Sequence, residues 1–295
     1  MAEEKKIEEE NWDEPIDYPY FSARNIMFRV IEYIEARYKS PDKDVLKTDS
    51  PLLYFQNDDL VVLASKPHMG KTAFVLGLIS QFVLEKKISV GLAVPVLSEH
   101  DIGMRLLSID TEVPVHKIRS GMLKVDDVKK IQKSANKFFD SPFFLFYEPN
   151  CSFKAIRKNA IEMAMENHIQ LLIVDDFEYL QDIVDCDEKN YRIELSTLLS
   201  EFKRLAVELH IPIILVMDIP ESENDNEPTL SDFNKYMIIP DKADKLLFLH
   251  KGRFQKYTKI QNAKLIIAKN NSGPKKDIPL DYYRRIEKFS WRHSE

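Results

Sequence analysis

The alternation of apolar strands with amphipathic helices predicts an α/β protein with a mostly parallel sheet, covered by helices on both faces. Three observations carry that prediction. Residues 60–63 form an apolar, largely β-branched run that enters a polar, kinked turn and then an apolar-periodic helix beginning near Lys71. Short apolar runs return at 88–94, 171–174 and 213–217, each separated from the next by helical patterning. The run at 171–174 is wholly apolar and ends in the acid pair Asp175 and Asp176.

The remaining elements follow in order. Residues 1–20 are acidic and aperiodic and read as a disordered arm. Ser22 can cap a helix in which Ile26, Met27, Val30, Ile31, Ile34 and Tyr38 recur at helical spacing until Ser40 and Pro41 stop it. That helix and its loop, 21–44, stand apart from the α/β domain expected over 45–295. Its apolar stripe must bury against its own domain or a neighbouring subunit. Beyond the helix that runs to about Glu85, the patterning predicts helices over 99–109, around 118–138, 152–167 and 191–209. An aromatic strand is expected over 143–146, and two last strands over 246–249 and 263–268.

Composition narrows the class. A chain of 295 residues holds one large α/β domain plus an appendage. No stretch approaches 18 apolar residues and the first ten residues carry no apolar core, so neither a membrane span nor a secretory signal is expected. Cys151 and Cys186 show no metal or disulfide spacing and read as inert thiols, which fits a reducing, cytoplasmic location. The net charge of -6 runs against a broad phosphate-gripping face. The local groups Arg253, Lys256, Lys259, Lys264 and Lys269, Lys275, Lys276 read as solvated surface.

The turn after the first strand has the layout of a phosphate-binding loop, formed by Ser65, Lys66, Pro67, His68, Met69, Gly70, Lys71, Thr72 and Ala73. Backbone N–H groups of the turn and of the helix N-terminus make an anion site. Lys71 supplies a point charge for β/γ-phosphates, and the Thr72 hydroxyl can ligate Mg²⁺. The pattern has Gly at its first position; Ser65 stands there, small enough to be tolerated. His68 reads as a loop residue. A magnesium–nucleotide site also needs a carboxylate at the end of a neighbouring parallel strand, and Asp175 supplies it.

The order of these motifs resembles the C-terminal, RecA-like ATPase domain of the DnaB-type replicative DNA helicases. The resemblance covers about residues 45–292. It is carried by DLVVLASKPHMGKTAF, IGMRLLS, KIRSGML, LLIVDDFEYLQ, LSEFKRLAVELHIPIILV, LSDF, KADKLLFLHK and IIAKNNSGP. It implies ATP and Mg²⁺ as ligands and a ring-shaped homo-oligomer. The helix at 22–38 falls where that family has a linker helix docking on the adjacent subunit, and the family's N-terminal helical domain is expected to be lacking.

The sequence also departs from that family. Where the family places a catalytic Glu after the second strand stands Val96, whose aliphatic side chain cannot activate water. Asp176 is the candidate replacement acid, and Glu99 reads as helix-capping. The family's γ-phosphate-sensing Gln aligns with Asp218, which reads as a loop residue. The family's Lys-x-Arg finger reads Lys269, Asn270, Asn271, so Lys269 is the remaining candidate to act in trans. The segment 218–232 carries six acids and no Lys or Arg, a composition that disfavours single-stranded DNA.

The reading expected from these features is a diverged DnaB-like ATP-binding protein linked to DNA replication. Hydrolysis is weak or absent, and the protein regulates or joins a helicase ring. An active ATP-dependent helicase or translocase, and an interaction scaffold without nucleotide, are the alternatives.

Overall fold

The computed structural model describes residues 22–40, 42–186, 189–219, 226–236, 238–252 and 258–292. The arm expected over 1–20 and the side chains of Arg253 and Lys256 lie outside that set. The chain divides into two units, Met1–Lys43 and Asp44–Glu295. In the first, α1 (Ala23–Lys39) begins at Ser22, whose Oγ accepts the Asn25 backbone N–H at 3.2 Å. That bond satisfies one of the N–H groups a helix start leaves free. At the other end the Ser40 N–H donates to the Ala36 carbonyl.

The second unit opens with a small antiparallel pair, β1 (Val45–Lys47) and β2 (Tyr54–Gln56). The main elements then follow as β3 (Leu60–Ser65), α2 (Lys71–Ser80), β4 (Val90–Val94), α3 (Glu99–Thr111), α4 (Val115–Ser120), α5 (Val125–Phe139), β5 (Phe143–Tyr147), α6 (Phe153–Asn167) and β6 (Leu171–Asp175). After β6 come α7 (Gln181–Val184), α8 (Tyr191–Leu209), β7 (Ile213–Asp218), α9 (Ile238–Lys242), β8 (Lys245–Lys251), β9 (Ile260–Asn270), β10 (Asp277–Tyr283) and β11 (Lys288–Trp291). A wider helical turn, Gln81–Glu85, prolongs α2 to the expected end.

Among the described residues one sheet runs β11-β10-β9-β8-β3-β7-β6-β4-β5. The pairings from β8 through β5 are all parallel, and β9, β10 and β11 extend the sheet antiparallel. The mostly parallel sheet is as expected; β10 and β11 were not anticipated.

Side-chain alternation explains the layers. Along β3, Leu60, Val62 and Ala64 pack on the side of α6 and α8, whereas Val61 and Leu63 pack on the side of α2 and α3. All five are essentially inaccessible to solvent. A strand buried on both faces must read as a continuous apolar run, which is how 60–63 reads.

Candidate functional site

The sheet order assembles the site. β3 has β7 on one side, and β7 has β6 on its other side, so the carboxyl ends of all three strands meet at one edge. Ser65 is in register with Asp218, and Asp175 with Val216. Three segments separated by more than forty residues thus converge where parallel sheets place their ligand crevices.

The loop leaves β3 at Ser65, which is wholly buried with its Oγ donating to the Lys66 carbonyl at 2.7 Å. Positive φ falls at His68 (62°) and Gly70 (87°), and Ser65 is not among the residues with positive φ. A side chain is therefore admissible at Ser65, where the general pattern has Gly. Gly70 is different: a Cβ there would meet Phe289 Cε2 of β11 at 3.2 Å. Lys66 Nζ donates to the Asn226 carbonyl at 3.2 Å. Lys251 Nζ, over the Tyr282 ring, donates to the His68 carbonyl at 2.8 Å, which ties the loop to β8.

Lys71 opens α2, directly after Gly70. Its ammonium is almost fully buried; it donates to Asp218 Oδ1 and lies 4.0 Å from Asp176 Oδ1. This corrects the reading of Asp218 as a loop residue. It is the last residue of β7, and its carboxylate is the hydrogen-bond partner of the phosphate-loop lysine. Burial pulls the Lys71 ammonium down, but Asp176, Asp218 and Asp175 outweigh it and leave the pKa above the ordinary lysine value.

Asp175 ends β6 almost fully buried, and neither of its carboxylate oxygens meets hydrogen-bond geometry with a described residue, although Thr72 and Asp176 adjoin it. Burial raises its pKa, against the opposing pull of Thr72 and Lys71. Burial, followed by the charge of Asp175, pushes Asp176 up to about 9. Both groups hold a proton more tightly than a solvated aspartate because the negative form is costly in this setting.

Glu178 is a member of the site that sequence reading did not single out. Its Oε2 accepts the backbone N–H of Asp218, and burial pushes its pKa up to about 7. The available signal was its place just after an acid-terminated strand. Lys269 does not join the site of its own chain. It is in register with Leu246 near the start of β8, level with Val62 of β3, and its Nζ donates to the carbonyls of Pro240 and Ala243 at 2.8 and 2.7 Å. Val96 lies just beyond β4 and is half exposed.

A magnesium-bound polyphosphate fits these residues. A buried carboxylate with unengaged oxygens and a neighbouring hydroxyl form an all-oxygen donor set suited to a hard divalent cation. The loop and helix start supply N–H donors, and Lys71 supplies the charge.

Comparison with known proteins agrees with the fold. The family model "DnaB-like helicase C terminal domain" matches residues 44–291. The replicative DNA helicase DnaB of Rickettsia prowazekii (strain Madrid E) is 30% identical over 278 residues, covering 83% of this chain and 57% of that protein. Its counterpart in Treponema pallidum (strain Nichols) is 28% identical over 273 residues, covering 90% and 60%. The chain therefore spans a little over half the length of these relatives. Among solved structures, a free-standing ATPase domain superposes with a TM-score of 0.78 at 19% identity, covering 93% of this chain and all of that one. A DnaB-like replicative helicase described with its primase interactions gives 0.75 at 18%, covering 93% and 68%. The match to the family model over residues 44–291, together with 30% identity to a curated relative, shows that the chain belongs to the family of DnaB-like helicase C-terminal domains.

Proposed function

We propose that the protein is a DnaB-like, MgATP-binding protein linked to DNA replication, in which nucleotide binding is kept and hydrolysis is weak or absent. It acts by joining or regulating a helicase ring, as a homo-oligomer or beside a replicative helicase partner. The observation that carries the reading is the gathering of Lys71, Thr72 and Asp175 at one sheet edge, with Val96 in place of a water-activating acid. Lys71 would hold β/γ-phosphate oxygens, while Thr72 and Asp175 would hold the cation. Bound Mg²⁺ neutralises phosphate charge. Ser65, Lys66, Pro67, His68, Met69, Gly70 and Ala73 shape the cradle.

Other features support low turnover. To act in a neighbouring site, Lys269 must give up two carbonyl bonds in its own chain. Loss of a trans-acting finger costs on the order of 10³-fold or more in rate. An active ATP-dependent helicase is the second reading, favoured by the placement of Asp176 4.0 Å from the Lys71 ammonium.

Calorimetric titration with MgATP, followed on the same sample by phosphate release with and without single-stranded DNA, tests the proposal. Binding that is lost in Lys71→Ala, with little turnover, supports it. Strong DNA-stimulated turnover overturns it, and turnover that disappears in Asp176→Asn assigns the missing acid. No thermal shift with MgATP leaves the interaction scaffold without nucleotide.

A further inference from the structure

The phosphate-loop lysine is already engaged by an internal anion. Lys71 donates to Asp218 Oδ1, and the Asp218 backbone N–H is in turn held by Glu178 Oε2. The carboxylate is therefore fixed at both its main chain and its side chain, with Ser65, the start of the loop, in register beside it. Asp176 contributes a further acidic side chain on the same ammonium. Each of the three elements around the crevice takes part: α2 through Lys71, the turn after β6 through Glu178, and β7 through Asp218.

An ammonium has three donor hydrogens. Lys71 can keep Asp218 and still donate to a β-phosphate, so a nucleoside diphosphate leaves the internal pair intact. A γ-phosphate, which the loop lysine also serves, adds negative charge beside the Asp218 carboxylate and competes with it for the same ammonium. We propose that Asp218 is a specificity-determining residue that biases the site toward nucleoside diphosphates over triphosphates, an internal anion standing in for the terminal phosphate. This deepens the MgATP-binding reading and rests on it. The triphosphate enters fully only when Asp218 leaves Lys71, so in this protein the occupied state and the position of the β7 terminus are coupled.

The test measures Kd for MgADP and MgATP by calorimetry on the full chain, for the wild type, Asp218→Asn and Asp218→Gln. Hydrogen bonds to charged groups differ enough from neutral ones that removing the anion is expected to shift the ratio Kd(ADP)/Kd(ATP) toward ATP by roughly tenfold or more in both variants. Two amides of different length guard against misfolding of one of them. If all three proteins bind nucleotide and the ratio stays within twofold of wild type, the role of Asp218 is refuted while the nucleotide site stands. If wild type and variants, folded by circular dichroism, all bind neither nucleotide, the nucleotide reading fails and this proposal fails with it.

Discussion

Gly70 holds φ at 87° with Phe289 Cε2 only 3.2 Å from where a Cβ would sit, so a side chain there meets both backbone strain and an aromatic wall. Gly70→Ala is expected to lower stability by about 1–3 kcal/mol, and urea unfolding will show it. The same variant should weaken MgATP binding, because the strained turn delivers Lys71 to the crevice. Glu178 governs a pH effect. Burial lifts its carboxyl from 4.5 to about 7, although the Asp218 N–H pulls the other way. Between those values the folded chain binds more protons here than the unfolded chain does, so this group's contribution to stability falls as pH rises from 4.5 through 7. The loss is at most roughly 3 kcal/mol. Urea midpoints across that window should decline less steeply in Glu178→Gln than in the wild type; parallel profiles would show that Glu178 titrates as an ordinary exposed acid.

The elements that carry the nucleotide site were legible because their signals are local. A strand buried on both faces reads as an unbroken apolar run, and the Gly-Lys-Thr turn follows β3 within a few residues. β10 and β11 gave no such signal. Ile278, Leu280 and Tyr282 do alternate inward, but Pro279 sits among them opposite Lys264, and a proline ordinarily argues against a strand paired on both sides. β11 is four residues long and follows a charged turn. Asp218 was found as a position and misread as a role, because its pairing with Ser65 joins β3 to β7 across about 150 residues of chain. The unanticipated strand has a function that can be measured. Phe289 of β11 is almost fully buried, packs edge-on against Phe74 at 5.9 Å and tilted against Tyr282 at 4.6 Å, and walls Gly70. Phe289→Ala should cost about 3–5 kcal/mol of stability through the cavity it leaves. It should also loosen nucleotide binding measured at a temperature where the variant stays folded. Unchanged affinity would mean that the wall supports the core and not the loop.

At the scale of the whole molecule the open quantity is the response to nucleic acid, and charge decides it. A protein that neutralises several phosphates shows an affinity falling steeply with salt, by about 0.7 in log–log slope per contact on a single strand. This chain carries a net charge of -6, and the segment 218–232 contributes six acids and no base. Two of those acids are engaged internally, Asp218 by Lys71 and Glu227 by Lys264, and Lys264 is shared with Asp277. Engagement at Lys264 also removes one of the few cations a strand of DNA might use there. Oligo-dT anisotropy in the presence of MgATP is therefore expected to give weak binding with a slope below about 1, the value of a single phosphate contact. Reversing three acids of the segment, with Glu221→Lys, Glu223→Lys and Asp225→Lys together, separates charge from location. If the segment lies along the path of the strand, the variant gains affinity and its slope steepens by about 2, three contacts at the single-strand value. An unchanged slope would place the segment away from the strand, and the acidic composition would then have to be explained by a protein partner.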